Sequence, residues 1–401
     1  MADWSQLPND VLLLIAKRIN SRITLSCFRA VCSSWRSSVL PIKPLRLTIP
    51  TYDPQIADHF YLSEHSIFVI QSIETRGQTY SPERWIVKIE EDENGINHLL
   101  HPLTNSRLTN VAFDKVLNSF NFDICGWSKE YVIQYAPKDQ DSGVSGDNGE
   151  SKLAIRKVAF MSLSPGCEDF VLLLVDYPGW SVFLFKSAEL QWTRFSTNCW
   201  GYGVTQFSGK LYAVDRYRKI VTVNPTTSKV SSVGIYGMVI AADKVCLINF
   251  YDALVLVAIH YNLSDADLRS ENHIVCSKPN GVLVGFKIFV QDEERLKWVS
   301  VKNLKEVILF LGTSCTFWNV ASDLPGCKGN SIVFSEPRWE AIFVRGQYTR
   351  RQKACDIYVA DLQARKVQPL KSVQAIPICS SHFLIHLLSQ DIKFGSKCCA
   401  L

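Results

Sequence analysis

The sequence predicts a mainly β chain with a small helical unit at its front. In residues 1–45 apolar side chains recur at spacings of three and four; from residue 46 they switch to short β-rich runs bounded by Gly, Pro, Asn, Asp and Ser. Charge follows the same division. Residues 1–48 carry seven Lys/Arg against Asp3 and Asp10, which leaves 36 of each sign for the rest of a chain with 43 basic and 38 acidic residues. A neutral large domain offers no excess for a basic binding face, so no nucleic-acid partner is expected.

At 401 residues, 47% hydrophobic and 20% charged, the chain has the make-up of a folded protein rather than a disordered or fibrous one. The apolar stretches Ala253–Ile259 and Val171–Val175 fall far short of the roughly 20 residues of a membrane helix, and no membrane association is expected. Val11–Ala16 follows Asp3 and Asp10 and runs straight into Lys17 and Arg18, unlike an export signal. Thirteen cysteines without a Cys-x-x-Cys read as reduced thiols in a protein of the nucleus or cytoplasm.

The first unit reads as three helices. Pro8 suits a first helical position, where its missing N–H costs nothing, and Asp10 meets the positive end of the helix dipole. Leu7, Val11, Leu14, Ile15 and Ile19 form one stripe, Asn20-Ser21 interrupts, and Leu25, Phe28, Cys32, Trp35 and Val39 continue at helical spacing, with Ser33 as cap of a short third helix. Val11 to Ile15 are all apolar, so the first helix is apolar on every side and has to be covered on every side. About 40 residues cannot do that alone. Each large aliphatic side chain left wet forgoes roughly 1.5–3 kcal/mol. Two covers answer equally: the β domain of the same chain, or another polypeptide.

The strings "LPNDVLLLIAKRI" and "TLSCFRAVCSSWRSSV" resemble an F-box. The likeness is carried by Leu7-Pro8, Asp10, the Leu/Ile run to Ile19, Leu25 and Val31-Cys32-x-x-Trp35-Arg36; Ser33 stands where many F-boxes have Lys. F-boxes are three-helix modules that dock on the Skp adaptor of cullin-RING ubiquitin ligases. The resemblance therefore implies that Leu7, Pro8, Ile15, Leu25, Val31, Cys32 and Trp35 form or support an adaptor-docking surface. Cys27 and Cys32 have no second ligand pair near them, and no metal is expected.

Residues 46–401 read as one all-β domain. Fourteen short runs, from "SIFVIQSI" and "RWIVKIE" to "AIFVRG" and "DIYVAD", alternate with turns. Phe185 is followed seven residues on by Trp192, Val223 by Val230 and Ala360 by Val367, each across a polar turn (Lys186-Ser187, Asn224-Pro225, Asp361-Leu362); Val290 to Trp298 is one residue longer. A recurring hairpin fits the outer strands of propeller blades. The segments 209–214 and 329–334 look like matching inner hairpins. The reading is an irregular six- or seven-bladed propeller-like domain, with a pair of β-sandwiches as the rival. "LGTSCTFW…LPGCKGNSIVF" (311–334) and "YVADLQ…VQPL" are similar to the C-terminal domain of a plant-specific F-box subfamily, which has no assigned chemistry. Residues 138–152 are polar and Gly/Ser/Asp-rich, an expected disordered loop.

No pattern asks for catalysis, and no cofactor is expected. Asp176, Asp215 and Asp361 recur at strand ends, which argues for turn chemistry. His382 and His386 lack the Glu of a zincin, and His98 and His101 lack ligand companions. Trp180, Trp200, Tyr202, Trp318 and Trp339 lie beside turns as binding anchors or inter-blade packing. Cys398 formally opens a prenylation box. The expectation is a non-catalytic substrate receptor of a Skp–cullin–F-box ligase, holding the adaptor in front and an unidentified target protein on the β domain. The alternatives are a propeller enzyme or a glycan or metabolite binder with a helical cap, and an F-box protein acting outside a ligase.

Overall fold

A computed structural model describes residues 4–18, 25, 28–29, 31–39, 45–55, 57–72, 84–91, 97–106, 122–135, 154–164, 169–175, 182–195, 203–214, 220–233, 242–261, 263, 273–292, 297–313, 315–324, 327–344 and 347–370. The 138–152 loop, Asp176, Asp215, Trp180, Trp200, Tyr202, His382, His386 and Cys398 lie outside them. Among the described residues no helix is long and apolar enough to cross a membrane.

Helix α1 (Asn9–Lys17) starts one place later than Pro8 suggests. Pro8 is its N-cap, with extended backbone, and the Pro8 carbonyl accepts the first helical bond from the Leu12 N–H at 3.1 Å. Helix α2 (Ser33–Ser38) is capped in backbone terms by Cys32, not by Ser33, which is its first residue. Between them, Leu25, Phe28 and Arg29 have helical backbone. The core of this unit is Leu12, Ala16, Leu25 and Phe28, with Leu7, Trp35 and Val39 packed against it. The inner face of α1 is therefore Leu12/Ala16 rather than the Leu14/Ile15 stripe. With five apolar residues in succession the period alone does not say which side turns inward.

The rest is strand, in three sheets. The first holds β1 (Arg46–Pro50), β2 (His59–Ser72), β3 (Arg84–Glu91), β4 (Asn97–Leu100), β5 (Phe122–Tyr135), β6 (Ala154–Ser162), β7 (Phe170–Val175), β8 (Val182–Lys186) and β9 (Gln191–Phe195). Its order is β4-β3-β2-β5-β6-β7-β8-β9, with β1 also on β2. The second is an antiparallel meander of β10 (Val204–Phe207), β11 (Lys210–Val214), β12 (Ile220–Val223) and β13 (Val230–Val233). The third holds β14 (Lys244–Phe250), β15 (Ala253–His260), β16 (Ile274–Ser277), β17 (Leu283–Asp292), β18 (Lys297–Ser300), β19 (Val307–Leu311), β20 (Thr316–Val320), β21 (Ser331–Val344), β22 (Gln347–Asp361) and β23 (Lys366–Pro369). Its order is β14-β15-β17-β16-β23-β22-β21-β19-β20, with β18 on β17.

The seven-residue repeat is a register. Phe185 pairs with Trp192, Val223 with Val230 and Ala360 with Val367. In the fourth hairpin Val290 faces Val299, and Trp298 faces Gln291. Asn224 and Asp361 do the same work in their turns: the Asn224 side-chain oxygen accepts from the N–H groups of Thr226 and Thr227, and the Asp361 carboxylate from those of Gln363 and Ala364. Residues 209–214 complete the β10–β11 hairpin, but 329–334 do not form its counterpart, because β21 runs parallel to its neighbour β19. Among the described residues strand pairing gives sheets of nine, four and ten strands, irregular as the sequence reading expects. β2, β5, β21 and β22 are 14 or 15 residues long, with register shifts at Ile67/Phe68 and Arg338/Trp339.

Inner strands bury both faces. On β7, Phe170, Leu172 and Leu174 enter one core while Val171 and Leu173 enter the next; on β15, Leu254, Leu256 and Ala258 oppose Val255, Val257 and Ile259. The first sheet curls until Trp192 on β9 donates its indole N–H to the Pro50 carbonyl on β1 at 2.7 Å. The last sheet returns to the first: Ile308, Phe310 and Phe317 share a core with Ile67, Ile86 and Leu103. A clasp fixes that closure. The Leu103 carbonyl accepts from the Thr313 N–H at 2.8 Å, and the Cys315 thiol donates to the Pro102 carbonyl.

Gly312 permits this approach, since a Cβ there would stand 2.7 Å from the Leu103 carbonyl oxygen and 2.9 Å from its Cα. Gly312→Ala is expected to cost about 1–3 kcal/mol, read as a lower denaturant midpoint at constant slope. An unchanged midpoint would mean that the closure is loose.

Candidate functional site

Two places are candidates for a binding site. The first is the outer side of the helical unit. Leu13 is 43% exposed, Leu14 62%, Ile15 39% and Val31 49%, while Leu12 between them is fully buried in the unit's own core. Trp35 packs against that core: its ring lies 4.5 Å from that of Phe28, and its indole N–H donates to the Trp4 carbonyl at 3.0 Å. Of the seven residues expected at a docking surface, Pro8, Ile15 and Val31 are exposed, Leu7, Cys32 and Trp35 half-buried, and Leu25 buried as support. Leu13 and Leu14 are the additions the structure makes. No residue of the β body joins the helical core among the described residues.

The second place is a cavity of about 370 Å³ where all three sheets meet. β5 and β6 supply Lys129, Glu130 and Lys157, β10 supplies Thr205 and Gln206, β14 supplies Asn249, and Thr316, Phe317 and Trp318 come from β20. Asn249 ties two sheets together, accepting from the Thr205 hydroxyl at 3.1 Å and donating to the Gln206 carbonyl at 2.7 Å. The Thr316 hydroxyl donates to the Leu247 carbonyl at 2.8 Å and accepts from the Lys157 ammonium at 3.3 Å.

A family model for the KIB1-4 β-propeller matches residues 59–360. The chain belongs to that family. Its relatives are F-box proteins of Arabidopsis thaliana. F-box protein SKIP23 is 32% identical over 360 residues, covering 84% of each chain. F-box protein At2g17036 is 27% identical over 359 residues (86% of each chain), and F-box/kelch-repeat protein At1g64840 is 24% identical over 360 (84% of this chain, 85% of its own). The sequence reading of a plant F-box protein with a C-terminal propeller is thus borne out.

Beneath the cavity this KIB1-4 propeller buries a charged network. The Lys88 ammonium donates to the Glu130 carboxylate and to the Asn105 side chain; His65 stands 3.4 Å from both Glu130 and Glu90, and Gln134 donates to Glu90 at 2.6 Å. Burial alone would push the Glu130 carboxyl up, but Lys88 and His65 outweigh it and hold it at about 2. Burial works against a charged His65, yet Glu130 and Glu90 carry its pKa above the usual imidazole value. His101 is driven the other way, to about 4, by burial and by Lys88. Burial lifts the Cys315 thiol to about 12, which leaves it unreactive. No three His, Cys, Asp or Glu side chains are grouped to hold a metal among the described residues. Of these residues sequence reading singled out only His101, as a histidine without ligand companions. The available signal was Glu64-His65-Ser66, a polar run in the middle of a long strand.

Lys88→Met leaves Glu130 and Glu90 short of a buried counter-charge and is expected to destabilise the propeller by about 3–5 kcal/mol in chemical denaturation. The pH dependence has two limbs. The Glu130 contribution is complete above pH 4.5 and disappears as pH falls toward about 2. The His65 contribution is complete below pH 6.5 and is lost as pH rises through its elevated folded value. Removing it with His65→Gln should flatten the alkaline limb and weaken the acid one only in part, because Lys88 still holds Glu130 down.

Proposed function

We propose that this protein is the substrate receptor of a Skp–cullin–F-box ubiquitin ligase, acting in the nucleus or cytoplasm. Residues 1–45 bind the Skp adaptor, and through it the cullin-RING core, while residues 46–401 hold a target protein. The receptor breaks no bond itself. Its contribution is to raise the effective concentration of the target near the charged conjugating enzyme. The observation that carries this reading is the exposed row Leu13, Leu14, Ile15 and Val31 on a unit whose interior is already filled by Leu12, Ala16, Leu25 and Phe28. Several large apolar side chains left exposed on one small unit mark an interaction site. The F-box names of the relatives agree with it.

Side chains that are exposed in the free protein and covered in the complex can be changed without unfolding it. Leu14→Asp with Ile15→Asp, in the full chain, is expected to weaken capture of purified Skp adaptor by at least about tenfold, at unchanged melting temperature. Leu12→Ala should instead lower the stability of the helical unit. Undiminished capture by the double Asp variant would remove the ligase assignment.

A further inference from the structure

We infer that the cavity between the three sheets is a binding site for a small organic acid, one carboxylate on a flat apolar body, with the carboxylate on Lys157 and Gln206 and the body against Trp318. Three lining residues are charged: Lys129, Glu130 and Lys157. Lys129 is committed to Glu64 at 2.9 Å, and Glu130 to Lys88. Among the described residues Lys157 has a single hydrogen bond, to the Thr316 hydroxyl, and no carboxylate within ion-pair distance. An ammonium half out of water with one hydrogen bond, to a neutral hydroxyl, is under-satisfied even with the charge of Glu130 in the same cavity, since Glu130 is bonded to Lys88. A carboxylate supplies both the missing charge and the missing acceptors. The Gln206 amide, which has no partner among the described residues, adds a neutral donor. One uncommitted cation fits one anionic group and is too little for a polyphosphate.

Around these charges the lining mixes the polar Ser128, Thr205, Asn249 and Thr316 with apolar and aromatic side chains, and the cavity's size lies at the small end of the roughly 300–1,000 Å³ of ligand pockets. Trp318 lines the wall, and beside it Phe250 and Tyr251 form an aromatic cluster with ring distances of 4.6 and 4.3 Å to Trp318. Tyr251 is 68% exposed and has φ +47° in a two-residue turn between Phe250 and Ala253, a position that favours Gly or Asn. A bulky ring held there against backbone preference points to a use for it. Through its ring contact with Trp318, that use is to hold the aromatic wall of the cavity against an apolar ligand body.

The test uses the full chain titrated with naphthalene-1-carboxylate and with its neutral counterpart naphthalene-1-methanol, followed by calorimetry and ligand-observed NMR. Saturable binding of the acid, about ten- to hundredfold tighter than the alcohol, is expected. Lys157→Gln should abolish that preference, Lys157→Arg should keep it, and Tyr251→Ala should weaken both compounds. No saturable binding of the acid, equal affinity for acid and alcohol on the unaltered chain, or an unchanged preference in a folded Lys157→Gln would each overturn the site. The acid-to-alcohol comparison needs no variant, so it holds even where a substitution fails to fold.

Discussion

β7, β8, β11, β14 and β15 send large apolar side chains in both directions, and neither side of such a strand can be left in water. At roughly 25 cal/mol per Å² of apolar surface, a row of Leu, Val and Phe on the wrong face would cost more than a domain's whole margin of stability. Stacking sheet on sheet meets this requirement everywhere except on the outer faces of the first and last sheets in the series. Those two have to meet each other. Hence the shared core of Ile67, Ile86 and Leu103 with Ile308, Phe310 and Phe317 is the condition on which the rest of the body stands, and the Gly312 clasp is what lets the backbones close on it.

Helix α1 poses the same problem on a smaller scale and answers it only halfway. Leu12 and Ala16 are covered within the helical unit; Leu13, Leu14 and Ile15 are not. The sequence left two covers open, the β body or a second polypeptide. The β body contributes nothing to the helical core among the described residues, so the exposed row keeps its need for cover. A closed ring and an unfinished bundle in one chain follow from one rule, applied where there is enough surface to satisfy it and where there is not.

Much of the β body was legible because the rule leaves a mark: a strand buried on both faces reads as a continuous apolar run. All fourteen such runs fall on strands, and "SIVFSE" and "AIFVRG" turn out to be two parts of the single strand β21. β9, β13 and β18 are half exposed and were marked only by the recurring hairpin spacing to Trp192, Val230 and Trp298, whereas β6 went unread because Arg156-Lys157 breaks its apolar pattern although Val158 to Met161 are buried. The charged network was illegible for a different reason. Lys88, His65 and Glu130 sit on separate strands, and a polar residue in an alternating strand ordinarily points to water; only the pairing of β2 with β3 and β5 turns all three inward together.

The residues from Gly312 to Trp318, which also carry the likeness to the plant F-box subfamily, show why closure and cavity cannot be separated. Gly312 admits the Leu103 backbone, and its own carbonyl accepts from the Lys244 ammonium at 2.9 Å. Cys315 bonds Pro102 and lines the cavity, Thr316 bonds Leu247 and receives Lys157, and the Phe317 ring stacks 4.7 Å from Phe310 in the closing core. Alternation along β20 divides these duties by face, Phe317 inward to the core with Thr316 and Trp318 on the other side. A strand that closes the ring therefore presents its opposite face to the centre, where strand ends from all three sheets leave polar groups that no apolar cover can satisfy. The cavity is polar there because the closure is tight, and any shift in the clasp reaches Lys157 through a single hydroxyl.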